Sequence, residues 1–476
     1  MSVTELAFAL YGRHAGTITR NRGRTTLAYD TDYLSSGNAT PLSLSMPLAD
    51  TTYPARFVDA YLRGLLPDHD DVRARWAARF RVKPGDTLGL VAAIGADTAG
   101  GAIFAVPARP DDLVARQGIV QPSTDAVIAN RLRRLREDAS AWHEEDDEHW
   151  SLAGAQGKFT LARTADGGWG LPTGSAPSTH IVKPGITRIK AQALAEHVSM
   201  RALGLLGLDV AATDYVVFED QPAIIVTRYD RRLDRSGNLV RLHQEDMVQT
   251  FALDPRRKYE ADDGPGVGKV VGRLRTAADE DSVTGFVDAT IAGYLLGAPD
   301  GHAKNYSVLL IGRTARLAPA YDVSTGLIPG PTGRLRYKAT AMSIGEEKRF
   351  GEVEGTHWER FTKVAGRAPE LIRSRVVDLA QRLPDAFRDA ISELADSPDT
   401  AYLTNVVLPN LAALDAQTLS GLHHSRRTDG RVVTPFLRAL EPATASDADA
   451  RADASANDAW DAFPHTPTPP AAPPES

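Results

Sequence analysis

Asp300-Gly-His-Ala-Lys-Asn305 is the stretch on which the reading of this chain turns. It follows an apolar helical pattern over 286–296 and precedes a strand-like run over 306–311. A carboxylate and an amide five residues apart therefore fall in a short loop between two packed elements. Phosphoryl transfer needs such a pair. The carboxylate orients an attacking hydroxyl and accepts its proton, and the amide oxygen holds Mg²⁺. Kinase catalytic loops space Asp and Asn in the same way.

Working outward, Ala318-Pro-Ala-Tyr-Asp322 brings a second carboxylate, expected at the end of a short strand. Alone, Asp322 reads as a turn or capping residue. Beside Asp300 and Asn305 it reads as the group completing a Mg²⁺ site, because Mg²⁺ takes few protein carboxylates and fills its shell with phosphate and water. Upstream, His180-Ile-Val-Lys-Pro184 ends an apolar strand on Lys183, a charge suited to nucleotide phosphates. The bland alternative is a solvent lysine. Glu196, on a helix expected over 191–206, can pair with Lys183 or simply face water. Ser151-Leu-Ala-Gly-Ala-Gln-Gly-Lys158 is a turn of small residues that lets backbone N–H groups approach phosphate. Gly264-Pro-Gly-Val-Gly-Lys269 imitates a P-loop, but Asp263 and Val270 break the pattern, so it reads as a loop. No Gly-x-Ser-x-Gly elbow or His-Glu-x-x-His helix supports a hydrolase or zinc-protease reading.

A chain of 476 residues is too long for one ordinary core. It has no cysteine, which excludes disulfides and thiolate chemistry and fits a reducing cytoplasm. No apolar run is long enough to span a membrane, and the start lacks a signal-peptide pattern. The net charge of −7 is concentrated at the end: residues 441–476 carry seven acids against the single Arg451. The remainder is close to neutral and gives nucleic-acid binding no support. The pattern divides into residues 1–108, a small α+β unit; 109–150, a connector; 151–246, rich in strands; 247–440, rich in helices; and 441–476, an acidic Pro/Ala-rich tail expected to be disordered. In the first unit 6–10 and 42–46 read as strands, and 56–66 and 72–80 as helices. Segment 142–150, with His143 and His149 among acids, reads as solvated rather than metal-binding, since no ligand spacing is present. Strands are expected over 215–218 and 223–228, and long helices over 282–296, 368–394 and 406–419. A strand-rich part followed by a helix-rich part is an α+β arrangement of two lobes, and clefts between lobes are common ligand sites.

Six ordered stretches resemble the HipA family, the toxin kinases of bacterial HipBA toxin–antitoxin pairs. They are residues 151–158, Thr179-His-Ile-Val-Lys-Pro184, Arg228-Tyr-Asp-Arg-Arg232, His243-Gln-Glu-Asp-Met247, the Asp300 loop and Pro319-Ala-Tyr-Asp322. Tyr11-Gly-Arg13, Leu42-Ser-Leu-Ser-Met-Pro47, Gly64-Leu-Leu-Pro67 and Ala93-Ile-Gly95 resemble that family's N-terminal subdomain. The resemblance spans about 5–440 and implies a two-lobed, phosphatidylinositol-kinase-like protein kinase fold. It implies that Asp300 is the catalytic base, that Asn305 and Asp322 bind Mg²⁺, and that Lys183, braced by Glu196, contacts ATP. Leu152, Ala153, Gly154, Ala155, Gln156 and Gly157 would form the phosphate loop. Gln244, Glu245 and Asp246 would be the hinge that grips adenine through backbone groups, with His302 and Tyr321 beside the nucleotide. Ser151 would be the autophosphorylated serine whose modification ejects the loop. The resemblance also implies a protein substrate such as an aminoacyl-tRNA synthetase, and a HipB-like helix-turn-helix antitoxin through which operator DNA is bound. Departures are Gly157 in place of an acid, Pro299 before Asp300, and the acidic tail; none removes a catalytic group. The late basic residues Arg426, Arg427 and Arg431 read as solvated surface.

Two further readings stay open: a corepressor bound to an antitoxin, with catalysis incidental, and a small-molecule kinase using the same nucleotide site.

Overall fold

Buried apolar side chains gather into two large clusters, and each organises one half of the molecule. The computed structural model describes residues 3–106, 118–143 and 148–423. The tail over 441–476 and Arg426, Arg427 and Arg431 lie outside the described residues.

The first cluster runs through two antiparallel sheets. Arg24–Tyr29 alternates between buried and more exposed residues, while Glu5–Leu10 is buried from Leu6 onward as a central strand. The meander runs Thr52–Pro54, Arg24–Tyr29, Arg13–Asn21, Glu5–Leu10 and Ile103–Ala105, in that spatial order. The second sheet is ordered Thr213–Phe218, Gln221–Thr227, His180–Lys183, Phe159–Arg163, Trp169–Pro172, Val120–Pro122. Phe8 and Phe104 of the first sheet and Phe159, Val182 and Ile225 of the second belong to one continuous core. Helices Ala55–Gly64, Asp70–Arg79 and Asp125–Glu137 supply Tyr61, Trp76 and Leu132 to it.

The expected strand over 42–46 is a turn closed by a Ser43–Met46 bridge, with Leu42 and Met46 buried. Its apolar residues are inside because the turn plugs the core, not because a strand alternates. Segment 142–150 is not solvated on its flanks either. Trp142 and Trp150 are core, His143 stacks on Trp76 with centroids 4.2 Å apart, and Glu148 pairs with the buried Arg131 at 2.5 Å.

The second cluster is helical. Val267–Ala277, Glu280–Leu295, Gly355–Ala365, Pro369–Ser392 and Leu408–Gly421 enclose it, so the three long helices stand where their periodicity placed them. The P-loop mimic is a helix start: Gly266 caps Val267–Ala277, Val267 and Val270 enter the core, and Lys269 faces solvent. Between the lobes runs a three-stranded sheet of His243–Asp246, Ser307–Ile311 and Thr314–Leu317. The whole is an α+β, two-lobed fold.

Candidate active site

Helix Glu280–Leu295 delivers the loop that carries Asp300. Gly297 stops the helix at φ +66°, and a Cβ there would lie 2.5 Å from Leu327, so glycine is required. The loop then bonds to itself. His302 N–H donates to the Asp300 carbonyl at 2.8 Å, and Asn305 Nδ2 donates to the same oxygen at 2.7 Å. This leaves Asn305 Oδ1 as the free end of the amide. The Asp300 side chain is 57% exposed, in a cleft where Tyr259 O–H donates to it at 2.9 Å and His302 Nε2 stands 3.6 Å away. His302 is buried and its pKa is lowered by desolvation, so its ring is neutral at pH 7.

Strand His180–Lys183 ends with Lys183 inside the molecule. Its ammonium lies 2.8 Å from Glu196 and 2.5 Å from Asp322. Burial alone would favour the neutral amine, but Asp322 and then Glu196 raise Lys183 above its ordinary value. Burial likewise opposes ionisation of Asp322, yet Lys183 and Lys158 hold it well below the usual carboxylate range. Glu196 is pushed up by burial against the pull of Lys183. Asp322 does not end a strand: it sits in the loop after Thr314–Leu317 with φ +59°, a left-handed backbone that turns its carboxylate towards Lys183.

Ala153 to Gly157 line a cleft of about 820 Å³ together with Lys183, Gln244, Asp246, His302, Asn305, Tyr321 and Asp322. Gly154 adopts φ +105°, and Lys158 Nζ donates to the Ala153 carbonyl at 2.8 Å, fixing the loop. Burial, then Lys183, push Lys158 down to about 8. Leu152 also borders this cleft and is buried in the upper core. Ser151 is 1% exposed. Glu245 sends its carboxylate away from the cleft, to Ser43 Oγ and Leu44 N–H at 2.6 Å each, and burial pushes it up to about 8. Asp246 caps the next helix through Gln249 N–H. Tyr321 is anchored to the Lys304 carbonyl and Ser307, both at 2.7 Å, and its ring stands 5.6 Å from that of Tyr229.

A second cleft of about 420 Å³ opens on the other side of Asp300, Asn305 and Asp322, walled by Tyr259, Pro299 and Tyr337. The three residues stand where the two clefts meet. Among the described residues no cluster of three or more His, Asp or Glu has a metal-binding arrangement. A cation here would need Asn305 and Asp322 plus oxygens from another molecule, which is how Mg²⁺ is usually held.

Sequence reasoning missed Tyr259, Lys158, Tyr229 and Asp68, all of which line one cleft or the other. Lys158 ended a stretch already singled out, and Asp68 follows Gly64-Leu-Leu-Pro67; Tyr259 carried no local signal. Arg228-Tyr-Asp-Arg-Arg232 has a structural task. Arg228 and Arg231, with Arg241, surround the buried Asp97 of the N-terminal unit at 2.8–3.3 Å.

A loop of small residues, a clamped lysine and a carboxylate–amide pair at the junction of two clefts are the parts a kinase needs. The models for the HipA-like C-terminal domain and the HipA N-terminal domain match residues 150–387 and 6–104. Y4mE of Sinorhizobium fredii is 31% identical over 409 residues, covering 84% of this chain and 94% of that protein. The serine/threonine-protein kinase toxin HipA of Shewanella oneidensis is 28% identical over 382 residues, 76% of this chain and 83% of that one. The chain belongs to the HipA family. In fold it is similar to the Shewanella oneidensis MR-1 HipA solved with HipB and operator DNA, with a TM-score of 0.74 and 24% identity over 87% of this chain and 97% of that one.

Proposed function

We propose that this chain is an ATP- and Mg²⁺-dependent serine/threonine protein kinase, the toxin of a toxin–antitoxin pair. The observation that carries the reading is the double pairing of Lys183 with Glu196 and Asp322, opposite the Asp300–Asn305 loop. Lys183 and the backbone of 153–157 would bind ATP phosphates, and backbone groups of 244–246 the adenine. Asn305 and Asp322 would hold Mg²⁺, which neutralises phosphate charge when bound. Their hard oxygen donors fit that ion. Asp300 would accept the proton of the attacking hydroxyl, which would enter through the smaller cleft. Ser151 would be the autophosphorylation site, and the exogenous acceptor a translation protein such as an aminoacyl-tRNA synthetase. The parts would be the N-terminal unit over 1–108, the connector over 109–150, the nucleotide lobe over 151–246, the catalytic lobe over 247–440 and the tail over 441–476.

The test is incubation with γ-labelled ATP and Mg²⁺. Phosphoserine at Ser151 on the wild type and none on Asp300→Asn is expected. Absence of label on wild type that binds ATP overturns the reading. The Shewanella relative is known in a complex with HipB and operator DNA, which favours a second role as corepressor with a helix-turn-helix antitoxin. That role predicts an antitoxin complex unaffected by Asp300→Asn. No helix among the described residues is long and apolar enough to cross a membrane.

A further inference from the structure

Asp68 belongs to the N-terminal unit, yet its side chain ends among the catalytic segments. Oδ1 lies 2.6 Å from Lys304 Nζ and Oδ2 lies 2.8 Å from Lys258 Nζ. Each lysine precedes a residue of the site. Lys304 stands immediately before Asn305 in a 3-10 turn, Ala303–Asn305. Lys258 stands before Tyr259, whose hydroxyl holds Asp300. The Lys258 carbonyl also accepts from Ala303 N–H at 3.1 Å, tying the two lysine-bearing segments together. The Asp68 backbone N–H donates to the Gly154 carbonyl at 3.0 Å, next to a Pro67–Gly154 bridge. One residue therefore meets the phosphate loop, the catalytic loop and the segment that orients Asp300.

The energetics favour a fixed geometry. The Lys304 side chain is only 3% exposed, and Asp68 is its only ion-pair partner among the described residues. A buried ammonium deprived of its carboxylate must move, lose its proton or destabilise its surroundings. Two ammonium groups that share one carboxylate would also repel each other without it. Burial opposes ionisation of Asp68, but Lys304 and Lys258 hold its carboxyl well below the usual range, so it stays charged through neutral pH. The neighbour displaced first would be Asn305, one peptide unit from Lys304.

We propose that Asp68 is a positioning residue for phosphoryl transfer: by pinning Lys304 and Lys258 it sets Asn305 and the Tyr259–Asp300 pair, so that the N-terminal unit completes the active site. This rests on the kinase reading of Asp300 and Asn305 given above. It goes beyond a fastening role, because a contact that only held the parts together would change the amount of folded enzyme and not its metal requirement.

The experiment uses the full chain and two variants, Asp68→Asn and Asp68→Asn/Lys304→Met; the second removes the stranded cation, so that folding is kept if the first variant unfolds. Initial rates are measured against Mg²⁺ and ATP, normalised to folded protein by circular dichroism. Expected are a fall in kcat of about a hundredfold and a rise in half-saturating Mg²⁺ of about tenfold in both variants, with binding of metal-free ATP within about threefold of wild type. Rates per folded molecule and Mg²⁺ half-saturation equal to wild type in either variant overturn the proposal. Wild type without phosphoryl transfer would instead overturn the kinase reading beneath it, a separate result in the same assay.

Discussion

Ser151 Oγ donates a 2.6 Å hydrogen bond to the carbonyl of Leu65, and the serine is sealed between the N-terminal unit and the upper lobe. A phosphate carries about −1.5 to −2 charges and cannot fit there without moving the loop. Phosphorylation of Ser151 would therefore require that its hydroxyl first leave the Leu65 carbonyl and reach solvent. Ser151→Ala is expected to abolish autophosphorylation by mass spectrometry. It should keep ATP binding by calorimetry and cost about 1 kcal/mol of stability for the lost hydrogen bond.

Lys183→Met strands two carboxylates, Glu196 and Asp322, in a buried site. Removing one partner of such a pair costs about 3–5 kcal/mol. We expect a clear fall in melting temperature and loss of phosphoryl transfer. Glu196→Gln should be milder in calorimetry, since Lys183 keeps Asp322. Lys183→Arg should not restore activity, because a planar guanidinium cannot replace a compact ammonium between two carboxylates.

Tyr259→Phe deletes the hydroxyl that holds Asp300 and leaves the ring stacked edge-on against His302 at 4.9 Å. A fall in kcat of about tenfold with an unchanged KM for ATP is expected in steady-state assays, since the loss is one of orientation.

Some of this could be read in the chain and some could not, for a physical reason. Asp300 and Asn305 stood out because phosphoryl transfer asks for that residue pair at a local spacing, and His302 and Asn305 both bond back to Asp300. Lys183 stood out as the charged end of an apolar strand. Tyr259 and Asp68 act across 41 and 236 residues of sequence, so no window contains both partners. Only the flanks of 142–150 misled, since residues 144–147 lie outside the described residues. The segment's acids outweigh Trp142 and Trp150 in any composition count, while in space Arg131 neutralises Glu148 and the rings stack. Periodicity found the long helices since one face of each meets a single core. It misjudged 42–46, where apolar residues plug a turn.

Asp97→Ala would leave Arg228, Arg231 and Arg241 crowded around an empty position. Destabilisation of about 3–5 kcal/mol is expected from chemical denaturation, with earlier proteolysis between the N-terminal unit and the rest. Asp97→Asn should lie between it and wild type, because Ser178 can still donate to the amide oxygen.

Asp415 is 1% exposed in helix Leu408–Gly421, and neither carboxylate oxygen has a hydrogen-bond partner among the described residues. Burial pushes it up to about 8 from an ordinary 3.8. The folded state thus binds a proton that the unfolded chain has released. Its contribution is full below about pH 4 and is lost as pH rises towards 8. The melting-temperature gap between Asp415→Asn and wild type, measured by scanning calorimetry, should therefore widen in favour of the variant from pH 5 to pH 8.

The core that runs unbroken from Phe8 and Phe104 to Phe159 and Val182 carries an evolutionary corollary. Neither part can drift alone: a larger ring on one side must be answered by a smaller one across the boundary. Shortening the gene from its 5′ end would leave a raw apolar wall, not a leaner enzyme. The two family segments are thus built to fold as one unit, so either one made alone would present to water the apolar face that the other covers.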